Sequence, residues 1–426
     1  MTELVDVAVI GAGPAGLAAA IKAKESGAEN VTIIERAGAP GGLLDQCIHN
    51  GFGLFYFDED LTGPEFAKRF IEKAMDLNVH LALETMVLNL TPDKQITACN
   101  RKGIVKLKAK AVVLAMGCRE RSREALMIPG TRPAGVFTAG TAQRYVNVEG
   151  FLPGKDIVIL GSGDVGMIMA RRLRLEGADV KAVVEILPYA GGLIRNEVQC
   201  LVDFDIPLLL EHTVTEVHGK ERVEAVAIAK VDEKREPISG TERVIPCDTL
   251  LISAGLIPEN EISMEAGVTL NPVTGGPFVD EKRETNVPGI FAAGNVSHVH
   301  DLVDNVAWEG EIAGAHAGAY ATGKITPEGR KVEMAAGENI RYVVPNTIST
   351  GDAVDLYMRV NEPNEKVSIR VGDVVEKKVR VVKPSEMVKV ELSPEDLSKI
   401  GGCGDDRLTV HCESRRKKRE RPYKTT

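Results

Sequence analysis

The chain has 426 residues, of which 44% are hydrophobic and 27% charged; this is enough for about two to four domains with their own cores, and it excludes a disordered or fibrous chain. The net charge of −9 argues against nucleic acid as the main ligand, because phosphate binding needs a positive field. No apolar run approaches the length of a membrane span, and the first strand starts almost at once and leaves no room for a signal peptide, so a cytoplasmic location is expected.

The first unit opens with an apolar strand at 7–10 that runs into Gly11-Ala12-Gly13-Pro14-Ala15-Gly16. A helix-like stretch follows, and the next apolar strand, 31–34, ends in Glu35 and Arg36. This register of strand, G-x-G-x-x-G, helix and acid is that of a dinucleotide cradle. Gly11 permits the tight turn, Gly13 lets the backbone approach a pyrophosphate, and Gly16 lets helix pack closely on sheet. The helix N-terminus that begins at Pro14 and Ala15 favours the negative pyrophosphate, and Glu35 can accept hydrogen bonds from the adenosine ribose. A Gly-rich turn beside a surface acid is the plain alternative, but it does not explain why all four parts fall in register.

A buried strand at 111–115 leads into Ala115-Met116-Gly117, and a turn follows at Pro129-Gly130. From about Pro153-Gly154 the first pattern returns: strand 157–160, Gly161-Ser162-Gly163-Asp164-Val165-Gly166, a helix, strand 182–184 and Glu185. The acid stands 24 residues after the first glycine in both units. Neither Arg nor Lys occurs in Ile186-Leu187-Pro188-Tyr189 to meet a 2′-phosphate, so NAD is expected over NADP. Two cradles in one chain suit the passage of a hydride between a nicotinamide and a flavin. The segment then continues through an apolar strand at 249–253 to Ser253-Ala254-Gly255.

Residues 287–295 read as a strand ending in a Gly turn, with a helix from about 304 to 321. Alternating strands and helices predict an α/β fold with parallel, doubly wound sheets. The domain bounds expected are 1–120 with 280–325 for an FAD-binding domain, 121–279 for an inserted NAD-binding domain, and 335–413 for a small all-β module. Short strands predicted at 341–344, 354–360, 367–371, 378–382, 387–392 and 407–411 suggest a small antiparallel sandwich there. The basic stretch in 414–426 has no apolar anchor and is expected to be disordered.

Gly41-Gly42 after Glu35, and the run from Thr285 to Gly294-Asn295, extend the match. Here the chain resembles the two-dinucleotide-binding-domain flavoproteins, the glutathione-reductase-like or pyridine nucleotide-disulfide-oxidoreductase-like superfamily. The resemblance implies FAD on the first unit, a Gly41-Gly42 loop running along the flavin, Gly294-Asn295 at the ribityl chain, and crossings between domains at Ala115, Gly117 and Gly255. Family members usually carry Asp where this chain has Asn295. NAD(H) is implied on Gly161, Gly163, Asp164, Val165, Gly166 and Glu185.

The redox cysteine pair of the superfamily's disulfide reductases is missing. In the glutathione-reductase pattern it would fall at Leu44 and His49, and 138–151, where the thioredoxin-reductase pattern has C-x-x-C, holds no Cys. The seven cysteines, at 47, 99, 118, 200, 247, 403 and 412, form no C-x-x-C pair and are expected to be reduced thiols. Electrons would therefore leave the flavin for a small substrate, oxygen or a partner protein.

The resemblance places two segments beside the flavin, 45–53 and 297–304. They supply the catalytic candidates: His49 and His300 as proton relays, Cys47 as a thiolate contact, and Asp301. Inert packing is the plain reading of a lone Cys, and structural hydrogen bonding that of each His. No metal is expected, because the spacing of His298, His300, Asp301 and Asp304 matches no known site type; Cys403, His411 and Cys412 do not complete a tetrahedral set.

The runs 116–121 and 129–143 are similar to the α subunits of sarcosine oxidase, opine oxidase and dye-linked proline dehydrogenase. Those at 46–53 and 298–304 are similar to the FAD-dependent oxidoreductases that accompany glycerol-3-phosphate dehydrogenase-like flavoproteins. That resemblance implies two partners, a small cysteine-rich electron-transfer protein and a dehydrogenase subunit. The function expected is hydride transfer between NAD(H) and FAD with electron exchange to a partner. A stand-alone NADH oxidase or amine dehydrogenase, and a non-catalytic dinucleotide-binding assembly module, are the alternatives.

Overall fold

A computed structural model of the chain describes residues 2–324, 330–349, 351, 353–402 and 406–415. They form two compact units, one drawn from Met1–Gly38, Ala74–Met116 and Asn260–Thr426, the other from Ala39–Lys73 and Gly117–Glu259.

In the first unit the strand Glu3–Ile10 lies between two parallel neighbours, Val31–Ile34 with Val7 opposite Val31, and Gly103–Leu114 with Val7 opposite Ala111. His80–Ala82 and Ile290–Ala292 extend the parallel part on either side. A hairpin of Met86–Leu90 and Gln95–Asn100 pairs antiparallel with the start of Gly103–Leu114, so the sheet is mixed. Val7, Ala8, Val9, Ile33 and Val113 are buried completely, as expected of strands covered on both faces.

The helix Pro14–Glu25 starts with proline in its first turn, where the missing N–H costs nothing. The helix Val303–Ala321 lies directly on it. A Cβ at Gly310 would stand 2.3 Å from the Ala15 carbonyl oxygen, and one at Gly314 would stand 2.0 Å from that of Ala19. The small residues thus put the two helices in backbone contact.

The C-terminal part of this unit has two sheets. One runs Thr347–Ser349, Lys331–Ala336, Arg407–Ser414, Asn364–Val371, Val375–Val382; the other runs Ile340–Val344, Val354–Val360, Val388–Leu392. Leu356, Met358, Ile369 and Val410 fill the core. Two features differ from the expected antiparallel all-β sandwich. Lys331–Ala336 pairs parallel with Arg407–Ser414. A helix, Pro394–Gly402, adds Leu397 and Ile400 to the core; at its start the Ser393 hydroxyl accepts from the Asp396 amide, and the Asp396 carboxylate accepts from the Ser393 amide in return. Cys403 and the basic tail beyond Arg415 lie outside the described residues.

The second unit holds a five-stranded parallel sheet in the order Val136–Thr138, Thr249–Ile252, Asp156–Leu160, Asp179–Val184, Leu208–Leu209. A separate antiparallel sheet joins His212–Gly219, Val223–Lys230 and Arg243–Pro246.

The units divide the chain differently from the expected bounds. Residues 39–73 group with the second unit. There the Gln46 amide donates to the Gly140 carbonyl and to Gln143, and Asn147 donates to the Gln46 carbonyl. Residues 260–279 group with the first, where Asn260 donates to the Val296 carbonyl at 2.8 Å and Asn286 accepts from the Thr269 amide at 2.7 Å.

Candidate functional site

The cradle of the first unit is built by close approach. Gly11 has φ +104°, and a Cβ there would stand 2.4 Å from the Ala115 carbonyl oxygen; one at Gly16 would stand 1.9 Å from that of Gly11. At Gly13, by contrast, a Cβ would meet nothing within 4 Å, so the space over the helix end is open to a ligand. The helix has no side-chain cap and no acidic residue in its first turn, which leaves its positive end for an anion. Glu35 accepts from the Ala12 amide at 2.8 Å through one oxygen and from the Ala37 amide at 2.7 Å through the other. These residues fit the pyrophosphate and adenosine ribose of FAD. Pro14 and Ala15 form the first helical turn, and Arg36 is exposed beside Glu35.

The second unit repeats the construction. A Cβ at Gly161 would stand 2.2 Å from the Ser253 carbonyl oxygen, and one at Gly166 would stand 2.8 Å from that of Gly161. Glu185 accepts from the Ser162 amide at 2.8 Å and from the Leu187 amide at 2.9 Å. Gly163 and Asp164 lead into the helix Asp164–Leu175, with Val165 exposed in its first turn.

One difference separates the cradles. Asp164 puts a carboxylate in the first turn of the second helix, and that carboxylate accepts from the Leu193 amide at 2.9 Å and the Asn196 side chain at 2.6 Å. The Gly191 amide donates to the Ser162 hydroxyl at 2.7 Å. A Cβ at Gly192 would stand 2.9 Å from the Asp164 amide nitrogen. The segment 191–196 therefore covers the helix end. Gly191-Gly192, Ser162 and Asn196 escaped the sequence reading. A signal was present, since Gly191-Gly192 follows Glu185 at the same six- and seven-residue offset as Gly41-Gly42 follows Glu35.

Gly41 and Gly42 lie in the second unit, both at positive φ, 124° and 63°. So do Gly117 and Gly255: the Gly117 carbonyl accepts from the Glu259 amide at 3.0 Å, and the Gly255 carbonyl from the Arg121 amide at 3.0 Å. Cys47 and His49 belong to this unit as well. Cys47 Sγ is 3.9 Å from Gln143 Oε1, and burial pushes its thiol up to about 11, which leaves no thiolate near neutral pH. His49 Nδ1 is 2.9 Å from the Asn50 carbonyl oxygen, with the ring against Phe52.

His300, Asp301, Gly294 and Asn295 lie in the first unit. Asp301 pairs with Arg359 and accepts from the Met387 amide at 2.5 Å. Asn295 accepts from the His300 amide at 3.0 Å. His300 sits in a buried charge cluster centred on Glu309. His298 donates to one Glu309 oxygen at 2.9 Å, His300 Nε2 lies 2.9 Å from the other, and Arg283 Nε stands 3.3 Å away. The Gly294 amide donates to the same carboxylate at 3.0 Å. Burial alone would raise the Glu309 carboxyl, but His300, Arg283 and His298 hold it well below the usual carboxylate range. Burial drives His298 down to about 4, so its ring is neutral at pH 7.

His298, His300 and Glu309 bring three metal-ligating atoms within 4.8 Å of one another, a grouping the sequence reading did not form because Glu309 was missed. Arg283 already supplies a positive charge beside Glu309, and a divalent ion would leave this dry site with excess positive charge. Glu309 was legible in principle: it falls one turn before Ala313 on the buried stripe of its helix.

Among the described residues, no helix is long and apolar enough to cross a membrane. The chain is 26% identical over 370 residues to the A subunit of opine oxidase from Agrobacterium tumefaciens (strain Ach5), a match spanning 82% of this chain and 69% of that protein. It is 27% identical over 272 residues to the alpha subunit of sarcosine oxidase from Rhizobium meliloti (strain 1021), spanning 62% of this chain and 25% of that one. The crystal structure of T. acidophilum thioredoxin reductase superposes with a TM-score of 0.63 at 25% identity, covering 76% of this chain and all of that one. The model of the pyridine nucleotide-disulphide oxidoreductase family, whose members bind FAD and use NAD(P)H, matches residues 5–319. The chain belongs to that family, and is a flavoprotein oxidoreductase by that membership.

Proposed function

We propose that the chain is the FAD- and NAD(H)-binding subunit of a multi-component dehydrogenase, passing hydride between the two coenzymes and exchanging electrons with a partner protein. One observation carries the reading: two cradles of the same build occur in one chain that lacks a cysteine pair at either disulfide-reductase position, with Leu44 and His49 in one and no Cys in 138–151. Similarity to the opine oxidase and sarcosine oxidase chains supports a partner, because both names are those of subunits. FAD supplies two-electron acceptance from a nicotinamide and onward transfer.

The chain's own residues bind and orient. Gly11, Gly13 and Gly16 seat the FAD pyrophosphate, Glu35 the ribose, and Gly42 and Asn295 the flavin side. Gly161, Gly163, Gly166 and Glu185 seat NAD. His49 and His300 are the proton-relay candidates; His300, inside the Glu309 cluster, is the more constrained of the two.

Anaerobic stopped-flow mixing with NADH tests the reading. Rapid bleaching of the flavin, slow turnover in air and no reduction of a disulfide dye are expected. Fast oxygen turnover would favour a stand-alone oxidase, and a yellow protein never bleached by NADH would favour an assembly module.

A further inference from the structure

The buried cluster around Glu309 carries more polar atoms than it pairs. Among the described residues, Arg283 Nε and Nη1, His298 Nδ1, both ring nitrogens of His300 and the Tyr357 hydroxyl have no hydrogen-bond partner, though the side chains of Arg283, His298, His300 and Glu309 are 1% exposed or less. Arg283 Nε and His300 Nε2 stand within ion-pair distance of Glu309 but off the line of a hydrogen bond. Stability does not explain this, since apolar side chains of similar size would fill such a site at no greater cost.

The cluster joins two things that are far apart in the chain. One is the Gly294–Asn295 turn: Glu309 takes the Gly294 amide, and Asn295 takes the His300 amide. The other is the C-terminal sheet strand Val354–Val360. Its Tyr357 ring lies 5.3 Å from that of His300, 5.7 Å from that of His298 and 5.8 Å from the Arg283 guanidinium carbon. Two residues on, Arg359 donates to the Val299 carbonyl at 3.1 Å and pairs with Asp301.

We propose that Glu309 is a positioning residue for the flavin, fixing the Gly294–Asn295 turn through the Gly294 amide, and that Tyr357 makes the C-terminal module an integral wall of that site. The inference rests on the reading of Gly294–Asn295 as a flavin contact. The C-terminal module then has a role of its own, because its strand clamps the loop that follows the flavin turn. Glu309 would act only through the turn and touch no coenzyme.

The test uses the full chain loaded with FAD. Glu309→Gln leaves Arg283 unbalanced and can fail to fold, so the double variant Arg283→Met with Glu309→Gln, which restores neutrality, is made beside it, together with Tyr357→Leu. Expected for the double variant is a cooperative unfolding transition like that of the parent, flavin bound about tenfold more weakly, and a shifted visible circular dichroism of the flavin that remains bound. Tyr357→Leu is expected to weaken FAD and leave NAD⁺ affinity unchanged. A double variant that folds and keeps parental FAD affinity and flavin spectrum would overturn the inference, as would a Tyr357→Leu protein with unaltered FAD affinity. Failure of the parent chain to bind FAD at all would instead sink the functional reading beneath it.

Discussion

Ser162 donates both its amide and its hydroxyl to the same oxygen of Glu185, at 2.8 and 2.6 Å. In the first unit Ala12 has no hydroxyl to offer, and Glu35 receives only the amide. Glu185 is 5% exposed and anchored from both sides, by Ser162 on one oxygen and by the Leu187 amide on the other. Glu185→Ala is expected to weaken NAD⁺ binding by about 10- to 100-fold, the loss of hydrogen bonds to a charged acceptor, without changing FAD affinity. Ser162→Ala should cost less, about twofold to fivefold. Calorimetric titration of the holoprotein measures both; equal loss of FAD would refute the assignment of this unit.

The two hydrogen bonds to Asp164 hold 193–196 over the helix end, and its charge opposes a pyrophosphate there. Asp164→Ala is expected to tighten NADH binding by about fivefold and to lower helix stability by about 0.5 kcal/mol, since an acid in the first turn favours the helix. Trypsin cleavage after Arg195 should quicken in the same variant. Unchanged NADH affinity together with unchanged cleavage would show that the segment does not guard the site.

Burial keeps Cys47 protonated, with its thiol pushed up to about 11. At pH 8 such a thiol is about 0.1% ionised, against roughly a quarter for an ordinary one. Iodoacetamide is expected to label Cys47 more than about 100-fold more slowly than a free thiol. Rapid labelling, read by peptide mass spectrometry, would restore the thiolate reading.

Acid should destabilise the first unit in a defined window. His298 has its folded value lowered to about 4 from 6.5, so between these two pH values the unfolded chain takes up a proton that the folded chain refuses. Stability therefore falls as pH drops from about 6.5 to 4, by about 3 kcal/mol, and is unaffected by this group above 6.5. Glu309 is held low, so its contribution is lost only as pH falls further, through its own depressed range. Urea unfolding midpoints from pH 7 to 4 measure the effect; His298→Asn should flatten it.

The helix pair Pro14–Glu25 and Val303–Ala321 has no room for a side chain at Gly314. Gly314→Ala is expected to destabilise the protein by about 1–3 kcal/mol, because the methyl group must push two backbones apart. Thermal unfolding checks this; a raised melting temperature, as for a glycine replaced in an unconstrained helix, would contradict the contact.

The glycine fingerprints, their acids and the strand–helix alternation were legible because they depend on short-range rules. A turn that needs positive φ at Gly11 and Gly161, a helix that must touch a strand at Gly16 and an acid one strand later all lie within 25 residues of one another. The strands of the C-terminal module were legible from alternation, but the parallel pairing of Lys331–Ala336 with Arg407–Ser414 was not. That pairing joins segments about 75 residues apart, and pairing direction leaves no mark on composition.

What the sequence determined by itself was the local chemistry: two nucleotide cradles and the absence of a cysteine pair. Tertiary structure alone decided that Glu309 is buried where Glu311 is not, that Arg283, His298, His300 and Tyr357 close around it, and that residues 191–196 fold back on the second helix end. The reason is physical. A charge is stable in a dry interior only when partners from distant segments converge on it, and that convergence is a property of the packed chain, not of any window along it.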